Sequence, residues 1–276
     1  MRRRPRRSVW EGLTPELMAM IVKGIETDEV ARVVPFVCTG WRDAVSGPDC
    51  WGNIELEQWC RRVYSSHVID FAISSLVFRS QGNLRRLSAF RIGDFAFSFL
   101  SNFAKCLTVL KIPMSEVTDE NVKTHAKCFA ALKILDISYC LSITSKGIEE
   151  FGWHCKLLEQ LRRTLPPPGF EGSSSSEVDD SEALAIANSM PGLRQLELAY
   201  GRCCDIGLHA IVSNCSALTN LDILGCLNVM MQGDLKDKCH KIRTFRDPWD
   251  DDGYFYQSSD DGNNSDGAAT DSSLDD

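Results

Sequence analysis

The chain reads as an α/β protein in which three short N-terminal helices precede a short curved solenoid of parallel strands with return helices. Three observations lead there. A unit Leu-x-x-Leu-x-(Leu/Ile) recurs at Leu107, Leu132, Leu193 and Leu218, with weaker copies opening at Leu84, Leu158 and Ile242. The steps from 107 to 132, 132 to 158, 193 to 218 and 218 to 242 are 25, 26, 25 and 24 residues, a period that marks stacked strand–helix units. Ahead of the repeats, residues 9–52 hold three short apolar stripes, the first two behind capped starts, which together bury little area by themselves.

The first stripe begins at Thr14-Pro15-Glu16. Thr14 can cap, Pro15 suits the first helical position and Glu16 faces the positive end of the helix dipole. Leu17, Met18, Ile21 and Ile25 follow at three- and four-residue spacing. A second stripe, Val30, Val33, Val34 and Val37, comes after Thr27-Asp28-Glu29. A third carries Val37-Cys38 and Trp41 and ends near the breakers Ser46-Gly47-Pro48. Residues 53–81 read as a helical connector with Ile54, Leu56, Trp59, Val68, Phe71 and Leu76.

The repeats are expected over 82–247, each with two alternating apolar positions forming a short strand and a helix such as Ile148-Phe151-Cys155 or Leu208-Ile211-Cys215. Cys155, Cys215 and Cys239 each stand three residues ahead of the next repeat's opening position, where Met190 stands in another copy. That place suits a compact buried thiol. The interval from 158 to 193 is 35 residues, about ten too long. Its Pro166-Pro167-Pro168-Gly169 and Gly172-Ser173-Ser174-Ser175-Ser176 predict a flexible loop near 164–181. Residues 1–8 form a basic tip, and 248–276 an acidic tail whose composition predicts disorder.

Composition narrows function. With 43% apolar and 25% charged residues the chain has the make-up of a soluble globular protein. No apolar run approaches the ~20 residues of a membrane span, and no apolar core follows the basic tip, so no membrane partner and no secretion are expected. The expected place of action is the nucleus and/or the cytoplasm. The basic tip reads either as a nuclear-import signal or as a solvated end. A net charge of −8 argues against nucleic acid as a partner. The twelve cysteines show no close pair of the kind that chelates zinc, so neither metal nor cofactor is expected. His67, His125, His154, His209 and His240 sit in no nucleophile motif, and no glycine loop for phosphate is present; no catalytic residue is assigned.

Leu13, Pro15, Glu16, Leu17, Ile21, Asp28, Val30, Val34, Val37-Cys38, Trp41-Arg42 and Trp51 carry a resemblance to the F-box, whose signature ends Val-Cys-x-x-Trp-Arg. One departure is Thr14, which separates the first leucine from the proline. Leu132 to Cys140, Leu-Lys-x-Leu-Asp-Ile-Ser-x-Cys, resembles the cysteine-containing leucine-rich repeats. The order of the two, covering about three-quarters of the chain, is similar to F-box/leucine-rich-repeat proteins of plant type. The resemblance implies an SKP-family adaptor bound by the F-box, a cullin reached through it, and a substrate protein held by the repeats for ubiquitin transfer. The chain itself would do no bond chemistry; it would supply effective concentration and orientation.

The implied adaptor contacts are Leu13, Pro15, Glu16, Leu17, Ile21 and Val30, together with Val34, Val37, Cys38, Trp41 and Trp51. Trp41 reads equally as core or as contact. Side chains alternate on a strand, so Lys111, Ile134, Asp136, Gln195, Glu197, Asn220, Asp222 and Leu224 are expected on the concave face as candidate substrate contacts. Each could equally be an ordinary solvated strand position. Two other readings are a repeat scaffold without ubiquitin function, capped by the N-terminal helices, and a small-molecule receptor. About six repeats curve too little to enclose a deep pocket, which argues against the second.

Overall fold

The computed structural model describes residues 14–169 and 177–250. The basic tip, the middle of the inserted stretch and nearly all of the acidic tail fall outside those residues, so the expectations made for them do too.

Three helices open the described chain: α1 Pro15–Val22, α2 Thr27–Arg32 and α3 Thr39–Ser46, with a 3₁₀ turn at Val34–Phe36. Thr14 caps α1 by accepting the Leu17 N–H at 3.4 Å, and α3 ends where Gly47 breaks it. The stripe read as one inward face of α1 divides. Met18, Ala19 and Val22 are buried, while Leu17 and Ile21 face out.

Eight three-residue strands then form one parallel sheet in strict chain order. They are β1 Asn53–Glu55, β2 Arg86–Ser88, β3 Val109–Lys111, β4 Ile134–Asp136, β5 Gln160–Arg162, β6 Gln195–Glu197, β7 Asn220–Asp222 and β8 Thr244–Arg246. The return helices are α4 Glu57–Arg62, α5 Ser66–Arg79, α6 Asp94–Ser101, α7 Asp119–His125, α8 Ser145–His154, α9 Ser181–Ser189, α10 Asp205–Asn214 and α11 Leu235–His240. The sheet thus begins some thirty residues before the repeats were expected, because Asn53-Ile54-Glu55 pairs with Arg86-Leu87-Ser88. The stretch read as a connector is the first strand and its return. With a polar residue on each side of Ile54 and no opening leucine three residues earlier, it offered no repeat signature.

The middle residue of every strand pairs with the middle residue of the next, from Ile54 and Leu87 through Leu221 to Phe245. Together with Leu84, Leu107, Leu132, Leu158, Leu193 and Leu218, the middle residues from Ile54 to Leu221 form a buried column along the solenoid, and half-buried Phe245 closes its end. Each such side chain contributes about 1.5–3 kcal/mol by leaving water. Cys155, Cys215 and Cys239 lie in this core, as their repeat position predicts. Burial pushes the Cys155 thiol up to about 12 and those of Cys215 and Cys239 up to about 11.

A second device joins the return helices to one another. Asp119 Oδ1 accepts the Thr144 and Gly147 N–H groups at 2.8 and 3.0 Å, and its Oδ2 accepts the Thr144 hydroxyl. Asp180 serves Cys204 and Gly207 in the same way, and Asp205 takes three N–H groups of residues 230–232. In the first two cases a carboxylate at the start of one helix caps the start of the next, whereas Asp205 holds the loop that leads into α11. Close approach requires glycine: a Cβ on Gly147 would lie 2.5 Å from Asp119 Oδ1.

One core position breaks the apolar rule. Arg163 stands where other repeats place Ile112, Ile137, Leu198 or Ile223, and it is 2% exposed. Its guanidinium donates to the carbonyls of Ile137, Cys140 and Ile143 at 3.4, 2.9 and 2.7 Å, and in bidentate fashion to Glu182 at 3.1 and 2.7 Å. Glu182 lies in the first turn of α9, just past the inserted stretch. The pair thus fixes where the chain re-enters the solenoid.

Candidate functional site

Two surfaces are candidates: the outer face of the N-terminal helices and the concave face of the sheet.

On the first, Leu17 and Ile21 of α1 are exposed together with Met20. The turn that leads to α3 exposes Val33, Phe36 at 79% and Val37 at 61%. Arg42 shapes this turn by donating from Nε to the Pro35 carbonyl at 3.1 Å. Six large apolar side chains therefore face water on a unit of about thirty residues, far more than scattered surface residues would give. Cys38 is half-buried as the N-cap residue of α3, and half-buried Trp41 packs against the core. Pro15 opens α1 and Glu16 follows it, whereas Leu13 falls outside the described residues.

Three expected contacts lie inside the protein. Val30 and Val34 belong to the core, and Trp51 has no exposed surface. The Trp51 indole N–H donates to the Val45 carbonyl at 2.8 Å, and the Arg79 guanidinium sits 5.3 Å from its ring centroid. Trp51 seals the helical unit onto the first repeat, so the motif that named these three marks packing, not contact. Thr27 completes the seam. Its Oγ1 accepts the Glu55 N–H at 3.0 Å, which covers part of an edge that an open sheet would leave exposed.

On the concave face the register sets side chains in two columns. The first runs Asn53, Arg86, Val109, Ile134, Gln160, Gln195, Asn220 and Thr244; the second runs Glu55, Ser88, Lys111, Asp136, Arg162, Glu197, Asp222 and Arg246. Lys111, Ile134, Gln195, Glu197, Asn220 and Asp222 all belong to these columns and are at least partly exposed. Leu224 is a correction: it lies past the strand and is 6% exposed, folded into the turn after Asp222. Asp136 holds its column position but is 8% exposed, its Oδ1 accepting the Ser138 N–H at 3.0 Å.

Sequence reading missed the cations. Arg162 and Arg246 stand in the second column beside the anticipated acids, and their signal lay in the weaker repeats, one place after Leu161 and Phe245. Arg162 donates from Nε to Glu197 at 2.6 Å and lies 4.0 Å from Asp136; Arg246 lies 3.5 Å from Asp222. The hydrogen bond to Glu197, with Asp136 and Asp222 nearby, raises the Arg162 pKa. The column thus neutralises much of its own charge. Partly exposed pairs of this kind are worth roughly 0–1 kcal/mol each.

Beyond the strands the ladder between repeats continues through residues in the left-handed region, among them Tyr139 (φ 59°), Tyr200 (φ 58°) and Gly225 (φ 69°). The Tyr200 ring lies on Gly225, where a Cβ would come within 2.3 Å of it. Nothing on this face pairs a nucleophile with a base. Among the described residues no cluster of three or more His, Cys, Asp or Glu side chains could hold a metal ion.

Comparison with known proteins agrees with both halves. No family model matches the chain. The F-box protein FBW2 of Arabidopsis thaliana is 38% identical over 223 residues, covering 80% of this chain and 69% of that protein. From the same plant, a protein named F-box/LRR-repeat protein 22 is 30% identical over 250 residues (88% of this chain, 78% of its own), and the F-box protein SKIP1 is 29% identical over 272 residues (92% and 90%). Among solved structures, the crystal structure of the yeast Rad7 and Elc1 complex is similar at 14% identity, covering 81% of this chain and 58% of that one. Its TM-score of 0.40 is too loose to bear on fold or partner. On the identities and coverage of the plant relatives, this chain belongs to the F-box/leucine-rich-repeat family.

Proposed function

We propose that the chain is the substrate-recognition subunit of an SKP-cullin-F-box ubiquitin ligase. Its N-terminal helices dock on an SKP-family adaptor, and through it on a cullin, while the concave columns hold the protein to be ubiquitinated. The observation that carries the reading is the outward set Leu17, Met20, Ile21, Val33, Phe36 and Val37. A phenylalanine left 79% exposed forgoes much of the ~1.5–3 kcal/mol that burial would return, which a partner surface restores. The chain contributes no bond chemistry; it raises the local concentration of the substrate beside the activated ubiquitin and fixes its orientation. The arginines at residues 2–7 support action in the nucleus as well as the cytoplasm.

Co-expression with an SKP-family adaptor followed by size-exclusion chromatography tests this. The wild type should elute as a 1:1 complex, and a Phe36→Ala/Val37→Ala variant should melt at the same temperature but elute alone. A well-folded wild type that ignores the adaptor would overturn the reading and leave a repeat scaffold without a ubiquitin role.

A further inference from the structure

Successive return helices of a solenoid lie side by side, so equivalent positions on them share one outer face. The interhelix hydrogen bonds give the equivalence. Asp70 accepts the Gly93 N–H at 2.8 Å, Asp94 that of Thr118 at 2.8 Å and Asp119 that of Thr144 at 2.8 Å. The residue one step further along is therefore Phe71 on α5, Phe95 on α6, Glu120 on α7 and Lys146 on α8. The two charged residues are exposed, as a solvated helix face demands. The two phenylalanines are just as exposed, at 74% and 64%.

They are not isolated. Phe78, 64% exposed near the end of α5, meets Phe103 edge-on at 6.1 Å, and Phe103 stacks on Phe99 at 5.4 Å. At about 200 Å² per ring, Phe71, Phe78 and Phe95 alone leave on the order of 400 Å² of aromatic surface in water. Half-exposed Val68 and the outer edges of Phe99 and Phe103 extend it. The total, on the order of 500 Å², stands at the upper end of what a typical monomer exposes in one patch, and two copies meeting there would bury about 1,000 Å², the size at which specific interfaces begin.

We infer that this face is where two copies of the chain meet, α5 and α6 of one packing on α5 and α6 of the other about a two-fold axis. An uncharged aromatic surface is complementary to itself, since rings from the two copies can pair edge-to-face without any charge to match. The patch lies on the return helices, so the contact leaves both the outer face of the N-terminal helices and the concave columns open. Each copy carries a net charge of −8, which opposes the approach; added salt screens this and tightens the dimer.

Sedimentation velocity of the full 276-residue chain across a range of concentrations tests the inference, with wild type beside Phe71→Glu/Phe95→Lys. These substitutions install residue types that α7 and α8 already carry at the same position, so the fold is retained, as circular dichroism would verify. The wild type should show a reversible monomer–dimer equilibrium that strengthens with salt, and the double variant should associate at least about tenfold more weakly. A wild type that stays monomeric overturns the inference. So does a dimer that survives the double substitution, or one lost instead in Phe36→Glu, which would place the contact on the N-terminal helices.

Discussion

Removing the charge of Glu182 isolates one energetic term, because Glu182→Gln keeps the shape of the side chain and one acceptor oxygen. The Arg163 guanidinium, 2% exposed, would then lack its counter-charge while keeping the carbonyls of Cys140 and Ile143 at 2.9 and 2.7 Å. Breaking a buried pair from one side costs about 3–5 kcal/mol, and the retained carbonyl bonds place this case near 3 kcal/mol. For a unit of this size that lowers Tm by roughly 6–12 °C. Arg163→Leu/Glu182→Gln removes the buried charge and restores the residue type of the other repeats. Replacing a buried pair by packed apolar groups is often neutral or better, so the double variant should recover most of the loss. Thermal melts of the two single variants and the double variant, closed as a cycle, give the coupling directly. If Glu182→Gln melts within about 1 °C of wild type, or the double variant is no more stable than Glu182→Gln, the clamp on α9 is not what the geometry says.

Two further outcomes follow from the interior. Gly147→Ala drives a Cβ to 2.5 Å from Asp119 Oδ1, displacing the carboxylate from the N-terminus of α8. Chemical denaturation should show a loss of about 1–3 kcal/mol, whereas Gly192→Ala, with no heavy atom within 4 Å of its Cβ, should stay within about 0.5 kcal/mol of wild type. Burial pushes the Cys140 and Cys155 thiols up to about 12, from an ordinary 9.0. The unfolded chain releases those protons near pH 9 and the folded chain does not, so their stabilising contribution is complete below pH 9 and falls as pH rises toward 12. Alkylation of the native protein at pH 8 should accordingly label exposed Cys106 and spare Cys140 and Cys155 by peptide mass spectrometry, and equal labelling of all three would contradict the burial.

The concave face has a consequence for recognition. Arg162 engages both Glu197 and Asp136, so a substrate that pairs with either acid must first displace a bond the protein already makes. The uncharged stretch of the first column, Val109, Ile134, Gln160, Gln195 and Asn220, offers contacts without that penalty. Gln160 and Gln195 hydrogen-bond each other across the strands and can exchange that bond for one to a ligand at little net change.

The sequence alone established the solenoid, because apolar residues at the first, fourth and sixth places of units recurring at 24–26 residues share one buried side of stacked strands. It determined the buried cysteines at helix ends and the capped start of α1 for the same reason: each follows from local spacing. Which apolar residues find a neighbour, by contrast, is settled by how the elements pack. Leu17 and Met18 are alike on paper, yet one faces water and the other the core, because α1 packs on α3 along a face shifted by one residue from the predicted stripe. Trp51 reads as signature but serves as a seal, and Phe71, read as part of a connector, stands exposed with Phe95 where later repeats carry charge. Pairing across repeats was equally hidden. Arg163 finds Glu182 and Arg162 finds Glu197 only when the strands come into register, and the 35-residue step between those repeats conceals that register from any count along the chain.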